Sequence, residues 1–178
     1  MIQVKIPFCL YLLISVFKKK DGTVFEYPKP KKPEAAQLVS KQQQEMVAPF
    51  LMPASFHFFS WHNIVHVLPK AVERELQILQ SALYIKKAGV AVGTCSNTGL
   101  IPAHDLAVST IVHPQLHSYS LTLPEALRYL RKQDLVLPNA PKGWCLLQYE
   151  SYNLGWAKVL PNRLNNYYPK EWRIRTGG

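Results

Sequence analysis

The runs Gly143-Trp-Cys-Leu-Leu-Gln-Tyr149 and Leu154-Gly-Trp-Ala-Lys-Val-Leu160, separated by a break at Glu150 to Asn153 and followed by another at Pro161-Asn162, decide the fold. Apolar and polar side chains alternate in them with the period of a half-buried strand. Short strands joined by tight turns predict a small barrel-like sheet. Upstream the period is helical. Leu121-Thr-Leu-Pro-Glu-Ala-Leu-Arg-Tyr-Leu130 carries a helix start, with Thr122 as cap, Pro124 in the first turn and Glu125 at the capping-box position.

Working back towards the N-terminus, Pro102 to Thr110 reads as a short helix with Ala103, Leu106 and Ala107 inward. Ala82 to Ile85 and Gly89 to Gly93 read as short strands. Val72, Leu76 and Leu79 recur at helical spacing in Lys70 to Gln80, which Pro69 opens. Phe56-His-Phe-Phe-Ser-Trp61 and Ile64-Val-His-Val-Leu68, joined at His62-Asn63, predict a hairpin. Glu34 to Phe50 reads as a helix with Gln42, Gln43 and Gln44 exposed, stopped by Pro49 and Pro53. Before it, Tyr27-Pro-Lys-Pro-Lys-Lys-Pro33 suits an extended, solvated linker.

Ile6 to Phe17 is an apolar run with lysines on both sides. It is too short to span a bilayer as a helix. No small-residue cleavage site follows it, so a buried strand turning at Asp21-Gly22 is expected, and no membrane association.

The 178 residues carry 21 Lys+Arg against 11 Asp+Glu, a net charge of +10 that favours polyanionic partners. The charge is uneven: residues 1–53 hold eight basic and four acidic groups, 54–127 four of each, and 128–178 nine against three. Cys9, Cys95 and Cys145 stand far apart without a CxxC pair, which argues against a zinc site or a disulfide framework and fits a reducing cytoplasm. His62 and His66 sit on a predicted hairpin, where their spacing does not face one metal; His104-Asp105 has no partnered nucleophile.

The basic C-terminal part also concentrates aromatic side chains. Flat rings stack on unpaired bases while Lys and Arg neutralise phosphates. The candidate RNA-binding residues are Lys142, Trp144, Trp156, Lys158, Arg163, Asn165, Tyr167, Tyr168, Lys170 and Arg173. For Trp144 and Trp156, core packing in a small sheet is the competing reading.

Pro141-Lys-Gly-Trp144, Leu154-Gly-Trp-Ala-Lys158 and Arg163-Leu-Asn-Asn-Tyr-Tyr-Pro-Lys170 resemble segments near the C-terminus of the NOL1/NOP2/Sun-type RNA cytosine-C5 methyltransferases of the bacterial RsmF kind. The resemblance spans roughly residues 54–175 and is most specific at the end, where Gly155, Trp156, Lys158, Tyr168, Pro169 and Lys170 are its firmest matches. It departs at Asn153, Ala157, Asn165, Tyr167 and Glu171-Trp172, where the family usually has Pro, Gly, Lys, His and Gly-Leu.

The resemblance implies an α+β chain with two small domains, the second a PUA-like β-barrel preceded by a helix. The expected organisation is an apolar strand and turn (1–22), a Pro/Lys linker and helix (23–53), a small α+β domain (54–118) and a PUA-like RNA-binding domain (119–178). The family methylates with S-adenosylmethionine and a Pro-Cys nucleophile; neither a cofactor loop nor that motif occurs in this sequence, so the expectation is binding of ribosomal or transfer RNA with no cofactor and no catalytic residue in this chain. Ile6 to Phe17 then resembles the last strand of a catalytic domain otherwise missing, as in a truncated product, and an exposed strand of this kind is expected to dock on its own domains or to pair across a homodimer. A stand-alone protein-interaction or scaffolding role is the second reading.

Overall fold

A computed structural model describes residues 2–5, 11–14, 37–82, 85 and 87–175. They belong to two compact units, residues 1–31 and 32–178. In the first, β1 (Ile2–Lys5) and β2 (Tyr11–Ile14) pair antiparallel, Ile2 opposite Ile14. The strand expected over Ile6 to Phe17 is described only at Tyr11–Ile14, and there it is paired rather than orphaned. The rest of that run, Cys9, the Asp21-Gly22 turn and the linker at 27–33 lie outside the described residues.

The second unit holds two sheets. β3 (Gln37–Leu38), β4 (Phe56–Trp61), β5 (Ile64–Pro69), β6 (Val90–Ser96) and β7 (Gly99–Pro102) form an antiparallel five-stranded sheet in sequence order. His62 and Asn63 both take left-handed φ angles, 51° and 61°, and close the expected hairpin with Trp61 opposite Ile64. The helix expected from Glu34 is shorter. Gln37–Leu38 is extended, and α1 (Lys41–Val47) starts only after Ser40, whose extended backbone halts helix propagation towards the N-terminus. Gln43 N–H donates to Ser40 Oγ (3.2 Å) and Ser40 N–H to Gln43 Oε1 (2.9 Å), so Gln43 closes a capping box instead of standing idle on the surface. Gln44 likewise donates its side-chain amide to the Val39 carbonyl. The expected strand from Ala82 is also corrected, since α2 (Glu73–Ala82) runs through that residue.

The four-stranded sheet has the order β11 (Leu164–Asn166), β10 (Tyr152–Val159), β9 (Gly143–Tyr149), β8 (Ser118–Ser120), with β8 parallel to β9 and the other pairs antiparallel. This sheet is open; among the described residues it does not close into a barrel. Glu150 and Ser151, with φ of 48° and 69°, make the β9–β10 turn, so β10 begins at Tyr152, ahead of the expected Leu154.

Its central strands are buried on both faces. Leu146 and Trp156, opposite one another, join Val47, Val65, Val67, Val92 and Leu106 in a core shared with the five-stranded sheet. On the other face Cys145, Leu147 and Ala157 lie under Ala126 and Tyr129 of α4 (Leu123–Leu130). The start of α4 is as expected: Thr122 N–H and its hydroxyl both donate to Glu125 Oε2 at 2.7 Å. Between the sheets, α3 (His104–Ala107) is stitched to β10: the Trp156 indole donates to the Ala103 carbonyl (2.9 Å) and the Asn153 amide to that of Ala107 (2.8 Å). Gly155 is required here. Its φ is 151°, and a Cβ would sit 2.5 Å from the Tyr129 hydroxyl and 3.0 Å from His104 Nδ1.

Candidate nucleic-acid interface

Strand register and one ring contact bring six of the ten candidate residues together. Lys158 on β10 lies opposite Trp144 on β9 and opposite Asn165 on β11, so one row across three strands presents an indole, an ammonium and an amide on one face. Lys158 Nζ stands 5.3 Å over the Trp144 ring, a cation–π contact. Tyr167 packs edge-on against Trp144, centroids 4.5 Å apart, and is 37% exposed. Lys142 and Arg163, both exposed, flank the row end formed by Gly143, Val159 and Leu164. Three cations and two accessible aromatic rings thus share one rim of the sheet.

Trp156 does not belong to it. Only 1% exposed, it lies two positions along β10 from Lys158 and points into the shared core, edge-on to Phe50 at 6.0 Å and to Trp144 at 6.4 Å. A ring enclosed in this way cannot receive a base, so the candidate assignment of Trp156 is corrected to core packing.

Tyr168, Lys170 and Arg173 occupy another place. Tyr167 and Tyr168 are neighbours in sequence, yet Tyr168 turns to the α4 face, where it packs edge-on against Tyr129 (5.5 Å) and His104 (5.3 Å). Its half-buried ring serves packing. Lys170 and Arg173 are exposed on and just after a single 3-10 turn, Lys170–Trp172. Trp172, absent from the sequence-derived candidates although it belongs to the same aromatic and basic stretch, is 58% exposed beside them.

Sequence reasoning also missed the residue that positions this tail. Lys132 Nζ donates to the carbonyls of Asn166 (2.9 Å) and Tyr168 (2.6 Å), while the Asn166 amide donates to the Tyr129 carbonyl (2.7 Å). Burial, with Lys170 nearby, holds the Lys132 ammonium below the usual lysine range, and Glu171 opposes the shift. No sequence pattern announces such a contact across more than thirty residues.

The two described thiols are poorly suited to nucleophilic chemistry. Burial pushes Cys145 up to about 11 and raises Cys95, away from the reactive thiolate. His104, lowered by burial against the opposing charge of Asp105, is held towards the neutral imidazole, and its buried Nδ1 has no hydrogen-bond partner. Among the described residues no helix is long and apolar enough to cross a membrane.

No curated protein matches the chain. Residues 116–174 match the family model described as the methyltransferase RsmF PUA domain, a segment that contains β8 to β11, α4 and the whole rim. This C-terminal, β-rich part of the chain is therefore similar to a PUA-like domain of RsmF-type methyltransferases.

Proposed function

We propose that the chain binds structured RNA, ribosomal or transfer, through the rim of its four-stranded sheet and serves as the recognition part of an RNA cytosine-C5 methyltransferase system in the cytoplasm. One observation carries this: the row Trp144–Lys158–Asn165, with Tyr167 against it and Lys142 and Arg163 at its end. The rings offer stacking surfaces, and the cations neutralise phosphate. The match of residues 116–174 to a methyltransferase PUA domain supports the same reading. S-adenosylmethionine belongs to the chemistry of such a system, and none of the residues described is assigned to holding it.

Phosphate contacts make affinity depend on salt through released counterions. With Lys142, Lys158 and Arg163 engaged, binding to a labelled structured RNA is expected to weaken about 20- to 40-fold between about 50 and 200 mM salt. Lys158→Glu with Arg163→Glu removes most of that binding and flattens the slope, whereas Lys70→Glu, in the neutral stretch 54–127, leaves both unchanged. Fluorescence anisotropy of the full chain measures all three, and a flat salt response in the wild type overturns the proposal.

A further inference from the structure

We propose that Trp172 is a second base-stacking residue, taking an unpaired nucleotide on the α4 side of the sheet while Trp144 and Tyr167 engage the same RNA on the other side. This rests on the RNA-binding reading of the rim and extends it to a residue and a face that the rim does not include.

Exposure comes first. A tryptophan 58% exposed presents a large apolar surface to water. His104 meets it edge-on, centroids 5.1 Å apart at 89°, and leaves more than half of the side chain accessible. An exposed ring of this size is a stacking platform for any base, since every base has a π-face.

The ring is also held in place. Pro169 fixes the entry to the turn, Trp172 N–H donates to the Pro169 carbonyl (3.3 Å), and Ile174 N–H donates to the Leu130 carbonyl at the end of α4 (3.1 Å). Lys132 clamps the preceding carbonyls of Asn166 and Tyr168. A platform positioned before binding loses little conformational freedom when a base lands on it.

Charge chooses the ligand. Lys170, Arg173 and Arg175 surround Trp172 in sequence and are exposed, against the single carboxylate of Glu171. An aromatic platform among excess cations fits a nucleotide better than an apolar protein surface.

Topology links the two platforms. β11 is the edge strand of the sheet, and the chain leaving it turns Tyr167 towards Trp144 and Tyr168 towards Tyr129 and His104. An RNA strand that crosses this edge meets Trp144 and Tyr167 on one side and Trp172 on the other. Inside a duplex both faces of each base are already stacked on neighbours, so the site selects RNA with unpaired nucleotides beside a stem.

The test compares a stem carrying an unpaired loop with the same stem as a blunt duplex, using the full chain. Trp172→Ala is expected to weaken binding of the looped RNA about tenfold while Trp172→Phe stays within about threefold. The duplex affinity and the salt slope remain those of the wild type. Circular dichroism melts of both variants should overlay the wild type, which separates loss of stacking from loss of fold. If Trp172→Ala binds the looped RNA as the wild type does, while Lys158→Glu with Arg163→Glu still loses affinity, the Trp172 proposal falls and the rim reading stands. If the wild type binds neither RNA, both fall.

Discussion

The two sheets of the second unit are each built around a hairpin with a two-residue left-handed turn, and each is rich in aromatic rings, yet they spend those rings differently. In the five-stranded sheet the rings pack on one another. His57 stacks on Phe59 at 6.0 Å, Phe59 on His66 at 5.3 Å, and Trp61 lies against both His62 and His66. Phe59 is left 3% exposed and His66 8%. In and beside the four-stranded sheet Trp156 is enclosed in this way, while Trp144, partly buried beside it, and Tyr167 and Trp172 in the segment after the sheet keep accessible surface next to cations. Charge follows the same division, since residues 54–127 balance four basic groups against four acidic ones and residues 128–178 carry nine against three. An aromatic-rich strand marks a binding surface only where the rings reach the rim and cations stand beside them.

The sharpest way to break this comparison is to truncate two tryptophans that face the same side of one sheet. Trp156→Ala, in the shared core, is expected to cost about 3–5 kcal/mol of stability, read as a fall in the urea midpoint. Trp144→Ala should cost clearly less and instead weaken RNA binding about tenfold. Equal stability losses with no difference in RNA affinity would erase the distinction between core and rim.

Gly155→Ala comes next. The new methyl meets the Tyr129 hydroxyl and the His104 ring at a backbone angle that side chains rarely adopt, so a loss of about 1–3 kcal/mol is expected. The matching change at Gly99, where a Cβ meets nothing within 4 Å, strains only the backbone and should cost less. A silent Gly155→Ala in equilibrium denaturation would show that α3 and α4 are not closed over β10.

The smallest expected effect is a pH dependence with one contributor on the five-stranded sheet, His66, and one on α3, His104. His66 and His104 are each lowered from the ordinary histidine value of 6.5, chiefly by burial, so the unfolded chain binds more protons than the folded one just below that value. Stability is then fully present above pH 6.5 and falls as the pH drops through the unfolded value towards the folded ones. Comparing urea midpoints at about pH 7.5 and pH 5.5, His104→Gln should remove part of the slope and leave the part due to His66. An unchanged slope in the variant would place the whole dependence elsewhere.

What the sequence by itself determined is local. Both hairpins, the Thr122–Glu125 capping box and the basic, aromatic character of the C-terminal part were legible, because turns, caps and strand alternation are set by residues a few positions apart. Even so, the short strands β7, β8 and β11 escaped, being too short to show a period, and α1 was read too long because Ser40 was not recognised as its cap. Only the tertiary structure decided which rings are free. Trp144 and Trp156 sit in similar strand patterns, and their fates diverge because α3 and Phe50 cover one while the sheet ends beside the other. The meeting of His104 with Trp172, and of Lys132 with the tail, likewise depends on contacts across more than thirty residues, which the packing of α3 and α4 on β10 creates and no local pattern encodes.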